Sequence, residues 1–73
     1  RDRKVHKQVI ENVIQYAEDN GFFTAGLTFS PVTGAKGNIE YLLFLTKQQQ
    51  EGLIPVDPAA VDNIVNTSHE ELE

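Results

Sequence analysis

At 73 residues the chain has room for one small domain, and a domain of that size buries only about 60% of its unfolded surface. It contains no cysteine, which excludes disulfides, and its two histidines, His6 and His69, without a thiolate argue against a closed structural zinc site. The formal charge of −5 repels phosphate and makes the chain a poor free-standing binder of nucleic acid.

Association with another chain, or with the rest of a longer one, is the remaining route to stability. No apolar run reaches the roughly 18 residues of a membrane span, so no membrane partner is expected. The Arg-Asp-Arg-Lys start is followed by no apolar signal region. A cytoplasmic protein is the expectation. The start without methionine suggests a cut from a longer chain or removal of a tag, and Leu72-Glu73 reads equally as a cloning scar or a native ending.

The first element is a helix from Asp2 to Asn20. Val5, Val9, Ile10, Val13, Ile14 and Ala17 recur at helical spacing as one apolar stripe. Asp2 is the N-cap, and Asn20-Gly21 is a stop signal. Phe22 to Phe29 reads as a strand, with Phe23, Ala25, Leu27 and Phe29 on one face. Ser30 to Gly37 is a loop punctuated by Pro31, Gly34 and Gly37. Asn38 to Thr46 reads as a second strand, antiparallel to the first. Ile39, Tyr41, Leu43 and Leu45 share one face; Glu40, Leu42, Phe44 and Thr46 share the other.

From Tyr41 to Leu45 that strand is apolar on both faces, and such strands are normally covered on both sides. A chain this short can hardly do that, so the pattern looks built for a larger sheet. Residues 47–56 form a polar linker. Asp57-Pro58 then opens a second helix to residue 73, with Ala60, Val61, Ile64, Val65, Ser68 and Leu72 inward. The order is helix-strand-strand-helix, an α/β arrangement without internal repeat.

No phosphate loop, dinucleotide fingerprint, metal-ligand cluster or nucleophile triad occurs, and no metal centre is expected. His6 lies one residue off the apolar stripe and reads as partly exposed. His69, among glutamates, reads as facing solvent. Ser30 before a proline reads as a turn former. Glu40 is open to two readings. At the start of an apolar strand it points to solvent, or it enters a polar site at the sheet's end, where ligand sites of α/β folds gather.

The stretch Gly26-Leu-Thr-Phe-Ser-Pro-Val-Thr-Gly-Ala-Lys-Gly-Asn-Ile-Glu-Tyr-Leu-Leu-Phe-Leu45 resembles the closing hairpin of TlyA-like methyltransferases, often labelled hemolysins and related to the FtsJ class of ribose methyltransferases. Its specific core is Ser30 to Glu40. Arg1-Asp-Arg-Lys-Val-His6 is similar to the family's helix entry after a catalytic-lysine strand, and Ser68-His-Glu-Glu-Leu72 to its closing helix.

The resemblance implies that the chain forms the end of a Rossmann-like methyltransferase sheet, its last two strands antiparallel. It implies transfer of a methyl group from S-adenosylmethionine to a ribose 2′-hydroxyl of ribosomal RNA by a parent enzyme with an RNA-binding domain. In the Lys-Asp-Lys-Glu set of FtsJ-type enzymes, Glu40 matches the glutamate, a supporting member. Ser30, Lys36 and Asn38 become candidate RNA- or cofactor-proximal loop residues.

The other set members and the cofactor loop would lie upstream. The fragment is therefore expected to bind no S-adenosylmethionine and to be inactive alone. Its expected partners are ribosomal RNA through the parent, the remainder of the domain, and further copies of itself. The alternative function is a non-catalytic interaction module docking through its apolar strand face.

Overall fold

The computed structural model describes residues 2–72; Arg1, part of the helix-entry motif, and Glu73, part of the suggested scar, lie outside the described residues. Helix α1 spans Arg3–Asp19. The Asp2 carboxylate accepts a 2.8 Å bond from the Lys4 N–H, covering a donor that the first turn leaves open. At the other end Gly21 takes φ 86°, which glycine adopts at no steric cost. The Phe22 N–H then reaches the Ala17 carbonyl at 3.0 Å and the Gly21 N–H that of Glu18 at 3.1 Å, the bond pair of a Schellman ending. Helix α2 spans Pro58–Leu72. Asp57 caps it by accepting from the Ala60 N–H at 2.8 Å, and Pro58 occupies the first position, where no N–H is needed.

Strands β1 (Phe23–Phe29) and β2 (Tyr41–Thr46) pair antiparallel. The second strand starts three residues later than its apolar pattern predicts, because Asn38 belongs to the loop's own hydrogen bonding. The ladder runs Phe29↔Tyr41 and Leu27↔Leu43, then slips between Thr24 and Gly26. That irregularity takes up Ala25 and reverses the alternation beyond it. Thr24 is therefore buried, while Phe23 and Ala25 are exposed rather than facing the core with Leu27. The buried Thr24 hydroxyl accepts from the Val56 N–H at 2.9 Å, which ties the linker to the ribbon.

Both helices lie on one face of the ribbon. Ile10 and Ile14 of α1 meet Val61 and Val65 of α2, with Leu27, Tyr41, Leu43 and Val56 packed against them. Each fully buried aliphatic side chain contributes about 1.5–3 kcal/mol, so this cluster supplies most of the stability of so small a fold. Polar bonds fringe it: Lys7 pairs with Asp62 at 3.3 Å, and the Arg3 guanidinium donates to Asn66 at 3.3 Å. These contacts set the two helices antiparallel.

Two apolar surfaces stay uncovered. Leu42 and Phe44 are 49% and 55% exposed on the ribbon's far face. Val5, Val9 and Val13 are about half exposed, although the single-stripe pattern put them inward with Ile10 and Ile14. The α1 stripe is wider than α2 and the ribbon can cover. No described helix is long and apolar enough to cross a membrane.

Candidate functional site

The loop from Ser30 to Glu40 is closed at its base by a bond from the Ser30 N–H to the Glu40 carbonyl, at 2.9 Å. Inside it, the Gly34 N–H donates to the Asn38 carbonyl at 2.7 Å. A short 3-10 turn, Ala35–Gly37, holds Lys36 at φ 59° and Gly37 at φ 75°. A left-handed lysine is uncommon and is kept there by the bonds around it. The Ser30 hydroxyl accepts from the Val32 N–H at 3.4 Å, the turn-forming role its place before Pro31 suggests.

Ser30 and Glu40 are thus brought together through their backbones. Asn38 faces Gly34, and Lys36 stands in the turn. Lys36, Asn38 and Glu40 are exposed and Ser30 is half-buried. The Glu40 carboxyl lies over Gly34: a Cβ added there would sit 2.5 Å from Oε2 and 2.8 Å from Cδ. Glu40 is therefore a solvent-reachable carboxylate at the open end of the ribbon, its side chain laid on a glycine backbone.

A second polar group lies beneath this loop. His6 Nδ1 is 2.9 Å from His69 Nε2, the Tyr41 hydroxyl is 3.2 Å from the same Nδ1, and it is 2.6 Å from the Ser68 hydroxyl. Ser68 donates to the Val65 carbonyl at 2.8 Å. His69 is 3% exposed, and here the expectation of a solvent-facing side chain is overturned. It lies four residues after Val65, on the inward line that Val61 and Val65 begin, so the helix turns it into the core.

The direction of the bonds follows from the carbonyl. Val65 can only accept, so the Ser68 proton goes to it, and Tyr41 donates to Ser68. The Tyr41 oxygen at 3.2 Å and His69 Nε2 at 2.9 Å both meet His6 Nδ1, whose donor or acceptor role is set by its tautomer. The His6 and Tyr41 rings meet edge to face, centroids 5.3 Å apart at 68°. No buried polar side-chain atom among the described residues lacks a partner. His6 and Tyr41 also line an open cavity of about 290 Å³ with Val5, Val9, Asn38 and Ile39, adjoining the Glu40 loop.

No protein-family model matches the chain. It is 49% identical over 45 residues to a Bacillus subtilis protein named "Putative rRNA methyltransferase YqxC", a match covering 62% of this chain and 16% of that protein. It is 45% identical over 42 residues to "Hemolysin A" of Brachyspira hyodysenteriae, covering 58% of this chain and 18% of that one. Among solved structures, the "Putative hemolysin from Streptococcus thermophilus" superposes on 97% of the chain with a TM-score of 0.80 and 35% identity.

These likenesses fit the TlyA-like resemblance and link the chain to a methyltransferase family. The chain spans only 16–18% of the two sequence relatives and 25% of the structural one.

Proposed function

We propose that this chain is the closing segment of an S-adenosylmethionine-dependent ribosomal RNA ribose methyltransferase, the last antiparallel strand pair of its Rossmann-like sheet. Glu40 is a supporting carboxylate of the catalytic centre, and Ser30, Lys36 and Asn38 lie beside RNA or cofactor. The observation that carries the reading is the Glu40 carboxyl, held at the open end of a strand pair by a hydrogen-bonded loop. The name of the Bacillus subtilis relative supports ribosomal RNA as the substrate. The uncovered apolar faces support a segment made to be completed by further chain.

On this reading the cofactor site belongs to the rest of the parent enzyme. No described strand here feeds a glycine-rich loop that opens a helix, so S-adenosylmethionine would be held by segments outside this chain. What this chain supplies is the charge on Glu40. A ribose hydroxyl reacts only when a neighbouring network takes its proton. A carboxylate bonded to a lysine fixes that lysine's position and favours its charged form.

The test is Glu40→Gln in the full-length enzyme, with methyl transfer to ribosomal RNA, a thermal melt and a cofactor titration. Folding and cofactor binding should survive. Turnover should fall within or somewhat below the roughly 10²–10⁴-fold typical of acid–base networks. Wild-type turnover in a folded, cofactor-binding variant ends the assignment.

The half-exposed Leu42 and Phe44 favour a second reading, a docking module without catalysis. The gene upstream separates the two: a strand followed by a glycine-rich cofactor loop supports the enzyme, and an unrelated domain supports the module.

A further inference from the structure

We propose that Asn20-Gly21, at the C-terminal end of α1, is a site of self-modification. The Asn20 side-chain amide is converted to a carboxylate through a cyclic imide, at a rate set by opening of the helix end. The pair ends the helix and takes no part in the Glu40 loop.

The chemistry is internal to the chain. The Gly21 backbone nitrogen attacks the side-chain carbonyl carbon of Asn20. A C–N bond forms, that nitrogen gives up its proton, and the side-chain nitrogen leaves as ammonia. Water then opens the imide ring at either of its carbonyls. One opening gives aspartate. The other gives isoaspartate, in which the main chain runs through the former side chain. The balance is one water consumed and one ammonia released, so no other reactant is needed.

The sequence singles out this asparagine. Asn12, Asn38, Asn63 and Asn66 are followed by Val13, Ile39, Ile64 and Thr67. All four followers are β-branched, and their stiff side chains crowd the nitrogen that would attack. Asn20 is followed by glycine, which leaves that nitrogen bare and the backbone free to turn. Both residues are exposed, and no neighbour stands within 4 Å of where a Gly21 Cβ would be, so a ring has room to close.

What holds the reaction back is the cap. Asn20 Nδ2 donates to the Tyr16 carbonyl at 2.8 Å, and the Gly21 N–H, the attacking group, donates to the Glu18 carbonyl at 3.1 Å. Asn20 stands at φ −101° and ψ 16°. Ring closure requires ψ to turn out of this near-helical setting, which breaks the bond to Glu18. The reaction therefore waits for the end of α1 to fray, an opening that costs less than unfolding the whole chain.

The product does not fit back. A carboxylate has no N–H for the Tyr16 carbonyl. Its charge falls at the negative end of the helix dipole, beside Glu18 and Asp19, where the last turn carries no basic residue. Isoaspartate also lengthens the main chain, so the Gly21 and Phe22 N–H groups lose their register with Glu18 and Ala17. The modified joint between α1 and β1 stays looser than the original.

The experiment keeps the 73-residue chain at mildly alkaline pH, with and without guanidinium chloride. The chain is then digested, and the peptides around each asparagine are separated and weighed. The mass gain of an amide turned to an acid should appear at Asn20 ahead of the other four, as separate aspartyl and isoaspartyl products. Conversion should be at least about tenfold faster in denaturant, since a hydrogen-bonded helix end is open only a small part of the time. Earlier conversion at another asparagine, or no conversion at Asn20 in denaturant, overturns the proposal. So does aspartate without its isomer, which marks direct hydrolysis. Equal rates in the folded and denatured chain overturn the gating by the cap. No substituted chain is needed, so a failure to fold cannot obscure the outcome.

Discussion

Gly34 and Glu40 occupy one space between them: the Cβ that Gly34 lacks would stand 2.5 Å from Glu40 Oε2. The backbone at Gly34, φ −82°, is open to any residue, so its glycine is explained by the neighbour and not by the turn. Gly34→Ala is therefore expected to change stability by no more than about 1 kcal/mol, since alanine also loses less chain entropy on folding. It should nevertheless push the carboxyl aside. On the proposed methyltransferase reading, methyl transfer by the full-length protein should fall with the melt unchanged. Turnover equal to wild type would separate the position of this carboxylate from catalysis.

The order of protons in the Tyr41–Ser68 pair predicts an asymmetry. Tyr41→Phe removes the contacts to Ser68 and His6 but leaves both groups a partner, since Ser68 still bonds Val65 and His6 still bonds His69. It should cost about 1 kcal/mol. Ser68→Ala takes away the acceptor of the Tyr41 hydroxyl and should cost more, about 1–3 kcal/mol. Urea melts of both variants check the order, and a costlier Tyr41→Phe would reverse the assigned direction.

Val65 is 0% exposed and Val9 is 53% exposed. Val65→Ala loses two buried carbons at about 0.8 kcal/mol each plus a cavity term, about 2–3 kcal/mol in all. Against a total of about 5 kcal/mol or less for so short a chain, that removes about half of the stability or more. Val9→Ala should move the isolated chain by no more than about 0.5 kcal/mol. Circular dichroism melts distinguish the two.

The isolated chain is expected to self-associate. Leu42 and Phe44 present an apolar face, and each strand of the pair keeps one open edge, a combination that invites pairing with another copy. Light scattering at high protein concentration should give a mass above that of one chain. Phe44→Glu should return it to the monomer value. A monomer mass for the unsubstituted chain refutes the expectation.

Element order, both helix caps and the strand-loop-strand unit were legible because each rests on local chemistry: Asp2, Asn20-Gly21, Asp57-Pro58 and the run Tyr41 to Leu45. What escaped depends on partners distant in sequence. Val5, Val9 and Val13 carry the same periodicity as Ile10 and Ile14. Only the position of α2 and the ribbon decides which line is buried. The reversal at Ala25 left a faint trace in Gly26, a glycine inside a strand pattern.

His69 was misread because the glutamates after it suggested solvent. The line Val61, Val65, His69 at steps of four would have turned it inward. The cluster of His6, His69, Tyr41 and Ser68 had no contiguous motif to reveal it. The prominence of Glu40 came from its loop, whose bonds are nearly all between close neighbours.

The clasp between His6 and His69 also bears on how the chain comes into being. Its two halves are separated by 63 positions. During synthesis, the helix that begins at Arg3 emerges before its imidazole partner and before Val61 and Val65, on which it comes to rest. The hairpin can pair once residue 46 is out, because its contacts are local. The apolar side of α1 is covered only in part, by the hairpin, until α2 has cleared the ribosome, a wait of several seconds at about 5–20 residues per second. Nascent α1 is thus the stretch on which a chaperone would act, and a stop codon ahead of residue 61 would leave it half covered for good.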